Sequence, residues 1–369
     1  MSCPSDDTFG QWLDGALDDP AAERMSAHAA ECADCRELAQ HLRTRRALGR
    51  PAAASSNLVL GRYQVGAKLG QGARGTIVAA TDTKTGRRVA LKSLRNQVDS
   101  SLVTKFAREA RLLAKVKSPH VVEFVEAGFD DDGEPVLVMA RVEGDSLEER
   151  LARGGPMSPK VVVEYLQQLC DGLGAIHAAG IIHRDLKLTN VLVERRAGGE
   201  VLTIVDFGVA REVGAPASSA EPAIVGTPYY VSPEQVDDPS SVDGRVDIWA
   251  LGVCAYRMLT GRYPYEGKTA WETFAKLERA EPVRLDAARP GIAPGLARVV
   301  ERCLEPDRER RYADAASLAF ALALAFEPTA TPPPRARSSF AKMAMFTSAL
   351  FILIGFLGAW LATWIRAGR

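Results

Sequence analysis

Hydrophobic and polar positions alternate along this chain in two distinct ways. Thr76–Ala80, Arg88–Leu94 and Leu202–Val205 are short apolar runs with the look of strands, whereas Val103–Val116 carries a helical pattern. Leu318–Phe326 is apolar throughout and reads as the last helix of a folded body; its nine residues are too few to span a membrane. Between Lys342 and Arg366 the pattern stops, because 343–365 is a run of 23 residues without a charge. As a helix it would reach roughly 35 Å, enough to cross a hydrocarbon layer with some tilt. Trp360 and Trp364 sit near one end and Arg335, Arg337 and Lys342 flank the other, as interfacial anchors do. A single transmembrane helix is the expectation, in preference to a buried core helix.

These patterns divide the chain into a Cys/His segment (1–46), an Ala/Ser linker (47–60), a mixed body (61–326), a proline-rich juxtamembrane spacer (327–342) and the apolar run 343–365. Clustered prolines lack donors and favour extended backbone, so the spacer is not expected to pack. No repeat of 20 to 50 residues is visible, which disfavours a solenoid or propeller.

A length of 369 residues allows two or three compact units, and 47% apolar with 25% charged residues is ordinary for a globular protein. Lys+Arg and Asp+Glu balance at 46 each, so no basic field exists to attract nucleic acid, and no such partner is expected. Cys170, Cys254 and Cys303 stand singly in apolar stretches and read as buried thiols. Asp6, Asp7, Asp14, Asp18 and Asp19 fill the start of the chain with no basic leader and apolar run, so no export signal is expected and the bulk is placed in the cytosol.

The remaining cysteines carry chemistry. Asp19 before Pro20 reads as a helix start, with Asp19 as N-cap and Pro20 at the first helical position. His28, Cys32 and Cys35 then fall at i, i+4 and i+7, on one stripe of the same helix, where a tetrahedral ion could take all three. A fourth ligand is needed. Cys3 is the choice, folded back from before a first short helix (about 6–17), with His41 as substitute. The segment resembles the anti-sigma-factor type of zinc finger, with Trp12-Leu13-Asp14-Gly15-Ala16-Leu17 ahead of His28-x3-Cys32-x2-Cys35. Zn²⁺ at Cys3, His28, Cys32 and Cys35 would supply much of the folding free energy of so short a segment. A regulatory protein is a candidate partner for it.

In the body, Gly70, Gly72 and Gly75 have G-x-G-x-x-G spacing. The loop leads into the strand-like run Thr76–Ala80 and then a second, Arg88–Leu94, whereas a dinucleotide loop would open a helix, so a hairpin presenting amides to phosphates fits better. Lys92 lies in the next strand, and Glu109 follows in the helical segment. Here the chain resembles the eukaryotic-type protein kinase family, and the resemblance covers about residues 63–325. It implies an α+β fold of two lobes, a small, mostly antiparallel β lobe and a larger helical one. It implies that Lys92 binds the α- and β-phosphates of ATP and is oriented by Glu109.

His183-Arg184-Asp185-Leu186-Lys187-Leu188-Thr189-Asn190 extends the resemblance. By it, Asp185 accepts the proton of the substrate hydroxyl, Lys187 offsets charge on the transferred group, and Asn190 and Asp206 of Asp206-Phe207-Gly208 hold Mg²⁺ or Mn²⁺. Leu69, Ile77, Ala90 and Leu192 would sandwich adenine, Met139 would be the gatekeeper, and backbone groups at Ala140 and Val142 would pair with the base. Gly226-Thr227-Pro228-Tyr229-Tyr230-Val231-Ser232-Pro233-Glu234 resembles the end of an activation segment, Asp247–Val253 the buried helix that anchors the catalytic loop, and Arg311 the partner of Glu234.

Three positions depart from the family pattern: Arg74 where an aromatic is common, Leu188 where proline is usual, and Ala140-Arg141 in place of Glu-Tyr. Lys187 and Thr227 imply Ser/Thr acceptors on protein substrates. Arg184 beside the base implies control by an anion on the activation segment, with Ser218, Ser219 and Thr227 as candidate autophosphorylation sites. The expectation is a single-pass kinase of the cytoplasmic membrane, its catalytic body facing the cytosol. Two competing readings are a nucleotide-binding pseudokinase scaffold and an anti-sigma role for the finger.

Overall fold

The computed structural model describes residues 58–72, 75–93, 100–207, 210–212, 228–239, 241–279 and 281–326, and, nearer the N-terminus, 8, 11–12, 17–32, 35–36 and 39. The expectations at Cys3, His41, Arg74, Ser218, Ser219, Thr227 and the run 343–365 lie outside the described residues. Among the described residues no helix is long and apolar enough to cross a membrane.

The first described helix, α1 (Asp19–Glu31), corrects the sequence reading by one residue. Asp18, not Asp19, is the N-cap: its backbone is extended (φ −65°, ψ 158°) and its Oδ1 accepts from the Ala21 amide at 3.0 Å. Pro20 thus takes the second helical position, still within the first turn, where an amide would have no intrahelical partner.

The small lobe is built from β1 (Leu58–Val59), β2 (Tyr63–Gly72), β3 (Gly75–Asp82), β4 (Arg88–Ser93), helix α2 (Ser100–Lys115), β5 (Phe124–Phe129) and β6 (Pro135–Ala140). Its six strands form one antiparallel sheet in the order β1-β2-β3-β4-β6-β5. The β2–β3 hairpin is paired as far as Gly72 opposite Gly75, and Gly75 has φ +134°, a backbone that side-chain-bearing residues rarely adopt. Hairpin and strands therefore run longer than the apolar run Thr76–Ala80 alone indicates. Tyr63, Val89, Leu91, Val136 and Val138 close a core of their own, while Phe106, Leu112, Leu113 and Val116 of α2 and its end join the main core.

The large lobe comprises β7 (Asp145–Ser146), α3 (Leu147–Gly154), α4 (Pro159–Ala178), β8 (Ile181–Ile182), β9 (Val191–Arg196), β10 (Gly199–Ile204), β11 (Arg211–Glu212), α5 (Pro233–Asp237), α6 (Arg245–Thr260), α7 (Ala270–Glu278), α8 (Leu285–Ala288), α9 (Pro294–Cys303) and α10 (Ala315–Phe326). Local chemistry sets the boundaries. Ser146 and Glu149 form a capping box at α3, Ser158 and Pro159 open α4, and Gly261 ends α6 in left-handed backbone (φ +73°). Helix α6 is the centre of the lobe, with thirteen of its sixteen residues buried.

Backbone ties connect the two lobes. Val121 bridges Ile204, the Val122 amide donates to the Ile204 carbonyl and the Ile204 amide to the His120 carbonyl, both at 2.9 Å. Gly144, where the chain enters the large lobe, passes so close to β9 that a Cβ there would lie 1.9 Å from the Val193 carbonyl oxygen. Only glycine fits this crossing.

Below the lobe interface, Arg311 holds Glu234 through two parallel bonds of 2.6 and 2.7 Å, and its guanidinium lies 4.8 Å from the Trp249 ring centroid. The arginine side chain is wholly buried. A bidentate pair of this kind is costly to break from one side, because the other charge loses its compensation. Arg311→Met is expected to lower unfolding free energy by about 3 kcal/mol; a denaturant midpoint equal to that of the wild type would contradict this.

Candidate active site

The reactive groups lie on short segments at the ends of regular elements. Residues 183–190 follow β8, and Asp206 follows β10. What fixes the first segment is Asp247, the third residue of α6, whose carboxylate is fully buried. Its Oδ1 accepts from the Arg184 amide at 2.8 Å and its Oδ2 from the His183 amide at 2.9 Å, while His177 Nε2 approaches the same Oδ2 at 2.8 Å. Burial would by itself raise the carboxyl pKa. The His177 contact and the backbone donors outweigh it, so Asp247 titrates below its ordinary value and stays ionised. The buried helix resembled an anchor of the catalytic loop in sequence, and it holds that loop here.

Held in this way, Arg184 adopts φ +63°, a left-handed conformation unusual for a non-glycine residue. Asp185 is buried; Lys187 Nζ donates to its Oδ2 at 2.7 Å, and Asn190 Nδ2 donates to its carbonyl at 2.9 Å. Asp185, Lys187 and Asn190 are therefore brought together. His183 is wholly buried and packs edge-on against Phe207, with centroids 5.1 Å apart. Desolvation depresses the His183 pKa, so its ring is neutral, with Nδ1 accepting from the Asp185 amide at 3.3 Å.

Asp206 arrives from the other side. The Val205 amide donates to the Asn190 carbonyl at 2.8 Å, which sets Asp206 beside Asn190, and Asp206 itself has φ +70°. Its Oδ1 accepts from Lys92 Nζ at 2.8 Å, and Glu109 Oε1 accepts from the same ammonium at 2.6 Å. Lys92 is nearly buried, which alone would favour its neutral form. The two carboxylates more than offset that burial and raise its pKa, so the ammonium is charged. Lys92, Glu109 and Asp206, separated by up to 114 positions, meet at one nitrogen. The donor set fits a hard divalent cation: Asp206 offers a carboxylate, and Asn190, with its amide nitrogen committed to Asp185, has a carbonyl oxygen to offer.

The residues named for adenine lie on neighbouring strands. Ala90 pairs with Met139, Ile77 with Lys92 and with Gly70, and Leu192 with Ser146 at the start of the large lobe. Leu69 falls at an irregularity of β2 and is about half exposed at 47%. The Ala140 amide is committed to the Glu123 carbonyl at 2.9 Å, so an adenine contact at that residue must run through its own carbonyl. Val142 is half-buried against the main core. Sequence reasoning missed Gly144 and His177. A lone glycine after the hinge and a histidine near a helix end carry no spacing signal of their own.

The N-terminal cluster corrects a second expectation. His28, Cys32 and Cys35 are not on one continuous helix: α1 stops at Glu31, Cys32 is extended (φ −86°, ψ 112°), and helical backbone resumes at Cys35 and Arg36. The break is what assembles the site. On an unbroken helix seven residues rise about 10.5 Å, whereas here the three ligand atoms lie within 4.8 Å of one another. Cys35 is buried, and the buried His28 Nε2 has no hydrogen-bond partner. An imidazole nitrogen left open beside two thiols fits a zinc ion.

Comparison with known proteins agrees with this geometry. The family described as "Protein kinase domain" matches residues 63–321, and that described as "Putative zinc-finger" matches residues 7–36. Serine/threonine-protein kinase pkn2 of Myxococcus xanthus is 42% identical over 280 residues, covering 74% of this chain and 33% of that protein. Serine/threonine-protein kinase PknL of Mycobacterium tuberculosis is 34% identical over 300 residues, covering 79% of this chain and 74% of PknL. PknB of the same species is 33% identical over 264 residues, covering 70% and 42%. The chain thus spans about a third of the length of pkn2 and about three quarters of that of PknL. With an antiparallel β lobe, a helical lobe and a lysine, two aspartates and an asparagine gathered between them, this chain belongs to the protein kinase family, among the eukaryotic-type serine/threonine kinases of bacteria, and carries a zinc-finger segment ahead of the catalytic fold.

Proposed function

We propose that this protein is a membrane-anchored kinase that transfers the γ-phosphate of ATP to serine and threonine hydroxyls of proteins, and to its own activation segment. The observation that carries the reading is the meeting of Glu109 and Asp206 on the Lys92 ammonium at 2.6 and 2.8 Å, next to the Asp185–Lys187 pair. An ammonium has three donors, and an orientation fixed by two carboxylates aims the remaining one toward a nucleotide's α- and β-phosphates. A pseudokinase scaffold would have no use for the full set of Lys92, Asp185, Asn190 and Asp206.

In the reaction the acceptor hydroxyl lies against Asp185, whose carboxylate takes its proton as the oxygen bonds to phosphorus and the bond to ADP breaks. Lys187, 2.7 Å from Asp185, places its positive charge where the transferred group gathers negative charge. Asn190 and Asp206 would hold magnesium, which would supply charge neutralisation at the phosphates. The adenine site comprises Leu69, Ile77, Ala90, Met139, Ala140, Val142 and Leu192, beneath the loop bearing Gly70, Gly72 and Gly75. Autophosphorylation is placed at Ser218, Ser219 or Thr227. Zinc is held by His28, Cys32, Cys35 and Cys3, and the finger recruits a regulatory protein. Residues 343–365 cross the cytoplasmic membrane once and leave the catalytic lobes in the cytosol, where ATP is supplied.

Transfer of labelled phosphate from ATP to a generic protein should fall about 10²–10⁴-fold in Asp185→Asn and in Lys92→Met; wild-type rates in both would overturn the assignment. The purified chain should contain about one zinc ion, lost in Cys32→Ser and in Cys3→Ser but kept in His41→Ala. Metal content indifferent to Cys3 and dependent on His41 would exchange the fourth ligand. Alkaline extraction of membranes should leave the full chain in the pellet and release a chain lacking 343–365; release of both would dispose of the anchor.

A further inference from the structure

The last helix of the large lobe has an apolar surface that nothing described covers. Helix α10 contains no charged residue along its twelve positions, and Ser317 is its one polar side chain. Such a helix is normally enclosed on all sides. One side is: Ala315, Leu318 and Leu322 are at most 2% exposed. The other side carries Ala316, Phe320, Ala323 and Leu324 at i, i+4, i+7 and i+8, all exposed, with Phe320 at 67% and Leu324 at 54%. A phenylalanine and a leucine one turn apart and this open form a contiguous stripe rather than scattered surface residues.

We infer that this stripe rests on the lipid surface, making α10 a second, peripheral membrane contact of the kinase. The inference builds on the membrane anchor proposed above. Sixteen residues, 327–342, separate α10 from the uncharged run 343–365. At no more than about 3.6 Å per residue, even a fully extended spacer keeps α10 within roughly 60 Å of a bilayer that the run enters. The spacer adds Arg335, Arg337 and Lys342 with no acid after Glu327, and Arg298 is exposed on α9, the helix packed against α10. Cations in the sequence that joins an apolar stripe to an anchor run suit an anionic lipid surface.

Affinity sets what such a contact can do. At twelve residues α10 is about 18 Å long and cannot span, and two large apolar side chains alone would give only marginal, reversible binding. Tethering changes that, since a short linker turns the second contact into an intramolecular one at millimolar effective concentration. The stripe would then fix how the large lobe faces the membrane without adding to anchorage.

Brominated lipid tests the inference in the full chain. The chain and its Phe320→Trp variant are reconstituted into vesicles of phosphatidylcholine and phosphatidylglycerol, with and without bromine on the acyl chains near the headgroup. Trp360 and Trp364, within the anchor run, serve as internal reference. The expected result is that the extra emission of the variant is blue-shifted and reduced about twofold by brominated lipid, as for a ring buried 5–10 Å into the interface, and that Leu324→Ser added to the variant weakens this quenching. Parent emission that is quenched while the extra emission is not would overturn the lipid contact and leave the anchor standing. Unquenched emission from both proteins, with no flotation on vesicles, would remove the anchor and this inference together. A blue shift insensitive to bromine and lost when the chain is diluted in the bilayer would assign the stripe to a second copy of the chain instead.

Discussion

A single buried carboxylate organises this catalytic fold. Asp247 sits on the most enclosed of the described helices, and its two oxygens accept from three groups that belong to the catalytic loop and the end of α4. An unpaired charge at such a depth would cost several kcal/mol, and burial pushes toward its protonated form. The depressed pKa indicates that the donors prevail. The loop is therefore positioned by a buried charge that would be left unpaired if the loop moved away, which is a more directional constraint than apolar packing of the same segment would be.

That constraint supports backbone strain where chemistry needs it. Arg184 and Asp206, each adjacent to or part of the reactive set, have φ of +63° and +70°. Left-handed backbone at a side-chain-bearing residue costs on the order of 1–3 kcal/mol, and the cost is offset by bonds that hold both neighbours of the reacting carboxylates. Asp247 fixes the backbone on one side of Asp185, and the Val205–Asn190 bond fixes the approach to Asp206. The Lys92–Glu109 pair then depends on α2 being packed into the main core through Phe106, Leu112 and Leu113, so the carboxylate that orients the ammonium of β4 is carried by a helix that shares its core with the large lobe.

Much of this was legible because phosphoryl transfer needs specific groups and the resemblance to the kinase family assigns them to short dense motifs in a fixed chain order. Lys92, Glu109, Asp185, Lys187, Asn190 and Asp206 could be named from sequence and do meet in space. Groups whose job is clearance or support leave no such trace. Gly144 is required by a carbonyl on another strand, and His177 by an aspartate 70 positions away. Local boundary chemistry was legible only to within a residue, since Asp18 and Asp19 are equally good caps by type and only the extended backbone at Asp18 selects between them.

The zinc-finger segment shows why spacing can point to residues that do cluster, for the wrong geometric reason. The positions i, i+4 and i+7 share a helical face, which suggests one continuous stripe, but sharing a face does not bring the first and last within reach of one ion. The chain leaves the helix at Cys32, where the Cys32 amide still donates to the His28 carbonyl at 2.8 Å while its own backbone turns extended. The departure from helix at Cys32 thus converts a linear array into a cluster. The thiol at Cys35 can then be both buried and next to the open His28 nitrogen, a juxtaposition that helical periodicity alone would forbid.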